Sequence, residues 1–394
     1  MGLKEALLPR VSLFSRQRSE TISEDGDFHH DILDYKQKSI RVLKILPSRR
    51  KAPVRCVLEE TTIGRAKYTC LSYRWGDRGE NNPTIEVNGK TFHVHQNLFD
   101  FLKVARQSNR RRTYWIDAIC IDQQNIHEKN HQVRLMGEIY KHAEDVVLWL
   151  GKGDQVSEDV IAFINSTRDY IKRTAADVET IWENLGNRSW DGFWEAYAQV
   201  CKNEYWRRAW IVQEVVLARQ KTILQGDQTV NWPTFVEFWN KATTGKPFQP
   251  PPDTLKRLES SPLASIVKIA GTENSWKPKS LMELLPTQGL MHCTRVQDRI
   301  YSLLPLCIER DRLLPDYDID HLGLLLQTID ACKRPSDSEA PPNVVPFVHH
   351  LVKILELWES DLATLDEDTP YIEVAEVAKL FRLTGFFDSH AWYF

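Results

Sequence analysis

The sequence predicts an α/β protein built on a parallel sheet. Short apolar runs, YTCLSY (68–73), TYWIDAICI (113–121) and DVVLWLG (145–151), end in polar loops, as strands buried on both faces do. Helical periodicity separates them. Leu98, Phe101, Leu102 and Ala105 share one face, and Val133, Met136, Ile139, Tyr140 and Ala143 share another. This β-α-β-α-β alternation implies parallel strands joined by right-handed crossovers, with helices covering the sheet.

In chain order, residues 1–34 are polar and unpatterned and are expected to form a flexible N-terminal arm. SIRVLKIL (39–46) and VRCVLEE (54–60) read as two strands joined through Pro47-Ser48. TIEVNGKTFHV (84–94) carries Asn88-Gly89 between alternating segments, the signature of a β-hairpin inserted after the first buried strand. Residues 156–219 are helical in pattern and rich in Trp, and KTILQG (221–226) reads as a further strand. Linkers at 247–253, 276–279 and 335–346 then separate helices expected at 232–243, 263–271, 296–306, 320–332, 347–359 and 371–384. The expected organisation is an arm (1–34), an α/β domain (35–226) and a mostly α-helical C-terminal region (227–394). No repeat period appears, which excludes solenoids and propellers.

Composition narrows the function classes. The 394 residues hold 51 Lys+Arg against 54 Asp+Glu, so a strongly basic nucleic-acid binder is excluded. No apolar run approaches 18 residues, and no membrane span is expected. The seven cysteines form no CxxC pair and sit mostly in apolar runs, which fits a reducing, cytoplasmic setting. A secretory h-region is missing, and Ala6 breaks the myristoylation pattern.

The ligand crevice of an open parallel sheet lies beyond the carboxyl ends of its strands. Tyr73, Arg74, Trp75 and Asp77 follow the first buried strand, and Asp122 and Gln123 follow the second, which contains Asp117. An arginine, aromatic faces and carboxylates suit a phosphate-bearing nucleotide; the same residues also suit a capped loop whose acids satisfy backbone donors. YWRRAWIVQEVVLAR (205–219) reads as a helix with one carboxylate, Glu214, and with Trp210 four residues earlier on the same face. Glu214 is either a surface acid paired with Arg207 or Arg208, or a desolvated acid poised to stabilise positive charge on a sugar.

His127-Glu128-Lys129-Asn130-His131 fits the H-E-x-x-H pattern of zinc peptidases and stands as a remote alternative. Lys129 and Asn130 make that turn polar, whereas the zinc helix has small or apolar residues there, so no metal is expected. The phosphate loop, the dinucleotide G-x-G-x-x-G and the G-x-S-x-G hydrolase elbow are all missing from the sequence.

Taken together, YTCLSYRWGD, HVHQNLFDFLKVAR, YWIDAICIDQQNIHEKNHQVRLMGEIYKHAEDVVLWLG and YWRRAWIVQEVVLA resemble the fungal heterokaryon-incompatibility (HET) domain. SIRVLKILPS resembles that family's lead-in and TRVQDRIYSLLPL an element that often follows it, so the resemblance spans roughly residues 35 to 320. It implies a role in non-self recognition and programmed death of fused fungal cells. It also implies a distant likeness to TIR domains, with a flavodoxin-like sheet, some of which cleave NAD+ without any cofactor. On that likeness Tyr73-Arg74 matches the Ser-Tyr-Arg after the first TIR strand. Trp210 with Glu214 matches the Trp-x-x-x-Glu element that carries the catalytic carboxylate. Two departures stand out: the 84–94 hairpin and the helical insert at 156–204. The implied partners are further copies of the chain, in a homo-oligomer through the HET domain, and an allelic or regulatory protein. The alternative is a non-enzymatic module acting through the exposed aromatics of its helical half.

Overall fold

The computed structural model describes residues 26–76, 82–107, 112–167, 182–183, 189–244, 250–271, 276–288, 291–332 and 344–362. The first 25 residues of the expected arm, Asp77, most of the linker at 335–346 and the helix expected at 371–384 lie outside them.

Nine strands form one mixed sheet. They are β1 (Ser39–Ile45), β2 (Arg55–Thr62), β3 (Thr69–Tyr73), β4 (Thr84–Val87), β5 (Lys90–His93), β6 (Thr113–Trp115), β7 (Asp145–Trp149), β8 (Lys221–Gln225) and β9 (Gln228–Asn231). Their order is β5-β4-β2-β1-β6-β3-β7-β8-β9. At the centre β6, β3, β7 and β8 run parallel. β1 closes one side antiparallel to β6, with β2 antiparallel beside it, and β9 turns back on β8 at the other side. All five residues of β3 are buried, which explains its unbroken apolar text. The chain enters the parallel block at β3, crosses to β6, and returns past β3 to β7. The strand order therefore reverses at β3, where an open α/β sheet leaves its ligand crevice.

The hairpin β4–β5 turns at Asn88 (φ 51°) and Gly89 (φ 81°), both left-handed, as a two-residue turn between twisted strands demands. Residues 26–28, within the expected arm, lie along it: the Thr91 amide donates to the Gly26 carbonyl at 2.8 Å and the Phe28 amide to the Thr91 carbonyl at 2.9 Å.

Helices cover the sheet: α1 (Gln96–Gln107), α2 (Asp117–Cys120), α3 (Ile126–His142), α4 (Gln155–Ser166), α5 (Trp190–Cys201) and α6 (Ile211–Val216). A 3-10 turn at Glu204–Arg207 separates α5 from α6. The C-terminal region adds α7 (Trp232–Thr244), α8 (Pro252–Glu259), α9 (Pro262–Ala270), α10 (Leu281–Gln288), α11 (Asp298–Tyr301), α12 (His321–Cys332), α13 (Val344–Ile354) and α14 (Glu359–Leu362). The Trp-rich stretch is core rather than surface. Phe193 stacks on Trp190 and meets Phe163 and Phe238 edge-on.

The elements depart from expectation in several places, among them the helix expected over 347–359, which ends at Ile354 before left-handed Glu356 (φ 56°). The run 113–121 is a strand only to Trp115; the amides of Ile119 and Cys120 both turn back to the Ile116 carbonyl and start α2. The helix expected over 205–219 breaks at Arg208, which is extended (φ −67°, ψ 135°). Its neighbours pair instead with another segment: the Ala209 amide donates to His292, and the His292 amide to Arg207 at 2.6 Å. The helix expected over 296–306 shortens to α11 and a 3-10 turn at Leu304–Leu306 around Pro305. Finally, β9, α8 and α10 were not expected, although Gly226-Asp227 offers a two-residue hairpin turn before β9 and Pro252 opens α8 at its first helical position.

Candidate functional site

The break at Arg208 builds the centre of the site. Because the chain is extended there, the Arg208 side chain folds back on Glu214 of the next helix. Its Nη1 donates to Oε2 at 2.9 Å and its Nη2 to Oε1 at 3.2 Å. Ser72, on the central strand β3, donates its hydroxyl to the same Oε2 and sits 2.6 Å from the Tyr205 hydroxyl. Glu214 is 1% exposed and Arg208 13%. The two readings left open by the sequence are thus both partly realised: the acid is desolvated and it is paired with Arg208. Burial works against the Arg208 charge, but the charge and hydrogen bonds of Glu214 outweigh it and hold the guanidinium firmly protonated. Burial pushes the Tyr205 hydroxyl up, and the Glu214 charge adds to that.

A second carboxylate stands beside the first. Because β6 stops at Trp115, Asp117 is the first residue of α2 and lies just past the strand's end. Its Oδ2 accepts from Trp75 Nε1 at 3.0 Å, and its Oδ1 from the Ala118 amide at 2.7 Å. Unlike Glu214 it is only half-buried. Desolvation and the Glu214 charge push it up to about 6, against the pull of Arg208 and the Trp75 indole. Tyr73 is buried with its hydroxyl toward Asp117, and burial raises it well above the usual tyrosine range.

The loop after β3 is tied down on its other side. Asn97 Nδ2 donates to the Arg74 carbonyl at 2.6 Å, and Trp149 Nε1, at the end of β7, donates to Asn97 Oδ1 at 2.8 Å. The Arg74 residue itself is exposed.

The structure thus gathers Tyr73, Trp75, Asp117 and Glu214, and gives the side chains of other sequence-marked residues other partners than that carboxylate pair. Asp122 caps its own turn through the Gln124 amide at 3.1 Å, and Gln123 Nε2 braces the Asp117 carbonyl at 3.0 Å. Trp210 hydrogen-bonds Asp298, which also accepts from the Tyr317 hydroxyl at 2.6 Å. The zinc-peptidase pattern is not assembled. His127 is exposed, while Glu128 is buried and gripped by Arg41 at 2.5 and 2.9 Å. The Asp122 amide donates to Glu128 as well, at 2.7 Å. Among the described residues no three His, Cys, Asp or Glu side chains gather as a metal site.

Sequence reasoning named Arg208 as a possible partner of Glu214 but missed Ser72, Tyr205 and Arg41. Of these, Arg41 left a trace, as the one charge inside the buried run SIRVL (39–43).

These features define a mixed α/β domain that brings two carboxylates and one arginine together near the carboxyl end of its central strand. Residues 68–214 match the family model described as Heterokaryon incompatibility protein (HET), a segment that opens at the start of β3 and closes on Glu214 itself. The resemblance read from the motifs is therefore shown over that segment. A curated relative, heterokaryon incompatibility protein 6, OR allele, of Neurospora crassa, is 35% identical over 150 residues. The likeness covers 34% of this chain and 22% of the relative, so the chain spans about a fifth of that protein. No solved structure matches the chain. Among the described residues no helix is long and apolar enough to cross a membrane.

Proposed function

We propose that this chain acts in heterokaryon incompatibility, the non-self recognition that ends in death of fused fungal cells. We further propose that its HET segment is a TIR-like hydrolase, which splits NAD+ into nicotinamide and ADP-ribose. The name of the Neurospora relative and the HET match support the first part. For the second, one observation carries the reading: the Glu214 carboxylate is held by Ser72 near the carboxyl end of the central strand, where an open α/β sheet leaves its crevice. The parallel strands, numbered along the chain, lie in the order 2-1-3-4 of a flavodoxin-like sheet, which supports the TIR likeness. Glu214 is the residue to stabilise an oxocarbenium-like transition state, with Trp75 and Tyr73 lining the crevice and exposed Arg74 available to phosphates. Asp122, Gln123 and Trp210 act by bracing the loops around it. No metal or cofactor enters this chemistry.

Arg208 and Ser72 hold Glu214 in place at 1% exposure. Assembly of several copies in the cytoplasm, or an allelic partner, is the switch that completes the site and opens it to NAD+, with the Arg208–Glu214 pair kept intact. The test is nicotinamide release from NAD+ by the purified chain over a range of concentrations, with Glu214→Gln alongside. Steeply concentration-dependent turnover that vanishes in the variant is expected. Equal toxicity of both forms in cells, without NAD+ loss, overturns it.

The same burial favours a second reading, a non-enzymatic assembly module in which the Arg208–Glu214 pair is structural. The exposed aromatics imagined for its interface are scarce. Among the described residues of the helical half, Trp358 is the one exposed large aromatic, and Ile308 and Leu314 are the exposed aliphatics.

A further inference from the structure

If Glu214 is sealed in the ion pair, another group must handle the proton of the attacking water. Hydrolysis of an N-glycosidic bond breaks the bond between the ribose C1′ and the nicotinamide nitrogen, and that electron pair passes to the ring nitrogen. Water oxygen bonds to C1′, and one proton must leave the water. An arginine-bound carboxylate at 1% exposure is badly placed to receive it.

The geometry points to Asp117 as the general base of the site: it takes the proton from water as the oxygen bonds C1′ and then releases it to solvent. This rests on the hydrolase reading above and adds a residue to it. Three features carry the assignment. Asp117 sits immediately beyond the carboxyl end of β6, next to the central strand, the position at which open α/β sheets bind their ligands. Its residue keeps partial solvent exposure, whereas Glu214 is closed off. Trp75 Nε1 at 3.0 Å, the Ala118 amide at 2.7 Å and the Tyr73 hydroxyl fix its orientation, and the four acceptor sites of a carboxylate leave room for one more donor.

The surrounding charges suit the task. Asp117 faces Arg208 and Glu214 from the α6 side, Tyr73 from β3 and Lys129 from α3. Burial and Glu214 raise its proton affinity to about 6, while Arg208 keeps it from rising further. A base with that affinity is ionised at neutral pH yet still binds a proton usefully. The two acids then divide the work as their surroundings dictate, Glu214 staying charged against arginine and Asp117 exchanging protons.

The experiment is the pH profile of kcat/KM for NAD+ hydrolysis by the full chain, Asp117→Asn, Asp117→Glu and Glu214→Gln. The wild type is expected to lose activity as pH falls through about 6, where Asp117 becomes protonated. Asp117→Asn is expected to lose roughly 10²- to 10⁴-fold in kcat and to lack that acid limb. Asp117→Glu, with a displaced carboxylate, recovers part of the rate and the limb. Near-UV circular dichroism of each variant reports whether the fold is intact. Wild-type turnover with an Asp117→Asn variant equally fast, or still showing the acid limb, overturns the assignment and leaves the hydrolase reading standing. Absence of turnover by the wild type, in the assembled form as well, overturns the hydrolase reading and the assignment with it.

Discussion

Arg208 grips both oxygens of Glu214, at 2.9 and 3.2 Å, in a setting where the acid has almost no contact with solvent. Removing one partner of a buried pair leaves an unpaired charge inside, which costs far more than the pair itself contributes. Arg208→Ala is therefore expected to destabilise the chain by about 3–5 kcal/mol in denaturant unfolding. Removing both charges with apolar residues of similar size, as in Arg208→Met with Glu214→Leu, is expected to cost much less than Arg208→Ala alone. A loss below about 0.5 kcal/mol for Arg208→Ala would show that the pair is solvated in solution.

Asp117 gives stability an unusual dependence on pH. Its folded affinity, about 6, lies above the unfolded value near 3.8. The folded state therefore binds more protons between these values, and this group's contribution worsens as pH rises through the window. Asp117→Asn removes the penalty. The variant is expected to be more stable than wild type at pH 8 by about 3 kcal/mol, with the gain about halved at pH 5. Urea melts at the two pH values test this; a constant difference, or a less stable variant at pH 8, would refute it.

Much of the sheet was legible because buried parallel strands are written as short apolar runs, and β3 and β7 match theirs within a residue or two. Asn88-Gly89 likewise announced its turn. The site was less legible, because its contacts are long-range. Ser72 reaches Glu214 across 142 positions, and no periodicity encodes that. The apolar spacing of Trp206, Trp210 and Glu214's neighbours runs smoothly through Arg208, so one helix was the natural reading. What breaks it is His292, some 80 residues away, pairing with the backbone of Arg207 and Ala209. Asp117 read as a strand residue for a related reason, since β-branched and aromatic neighbours hid the local turn onto the Ile116 carbonyl.

The H-E-x-x-H text separates into one structural acid and two surface-side histidines, and mutation can tell them apart. Glu128 is 1% exposed and holds Arg41, itself 5% exposed, so Glu128→Ala strands a buried guanidinium. A loss of about 3–5 kcal/mol is expected for Glu128→Ala, and less than about 0.5 kcal/mol for His127→Ala. Thermal melts with and without a zinc chelator complete the test. A chelator-sensitive melting temperature, or His127→Ala as damaging as Glu128→Ala, would restore the metal reading.

Gly137 tests how tightly the C-terminal region is seated on α3. A Cβ added there would lie 2.5 Å from Pro305 Cβ and 3.4 Å from Leu217 Cδ1. In an open helix, Gly→Ala stabilises by about 1 kcal/mol through backbone entropy. Here the methyl meets a rigid proline ring, and overpacking of this kind costs about 1–3 kcal/mol. The clash is expected to win, so Gly137→Ala should lower the unfolding midpoint in denaturant. A higher midpoint would mean that the turn carrying Pro305 stands away from α3, and that residues beyond the HET segment do not brace the sheet.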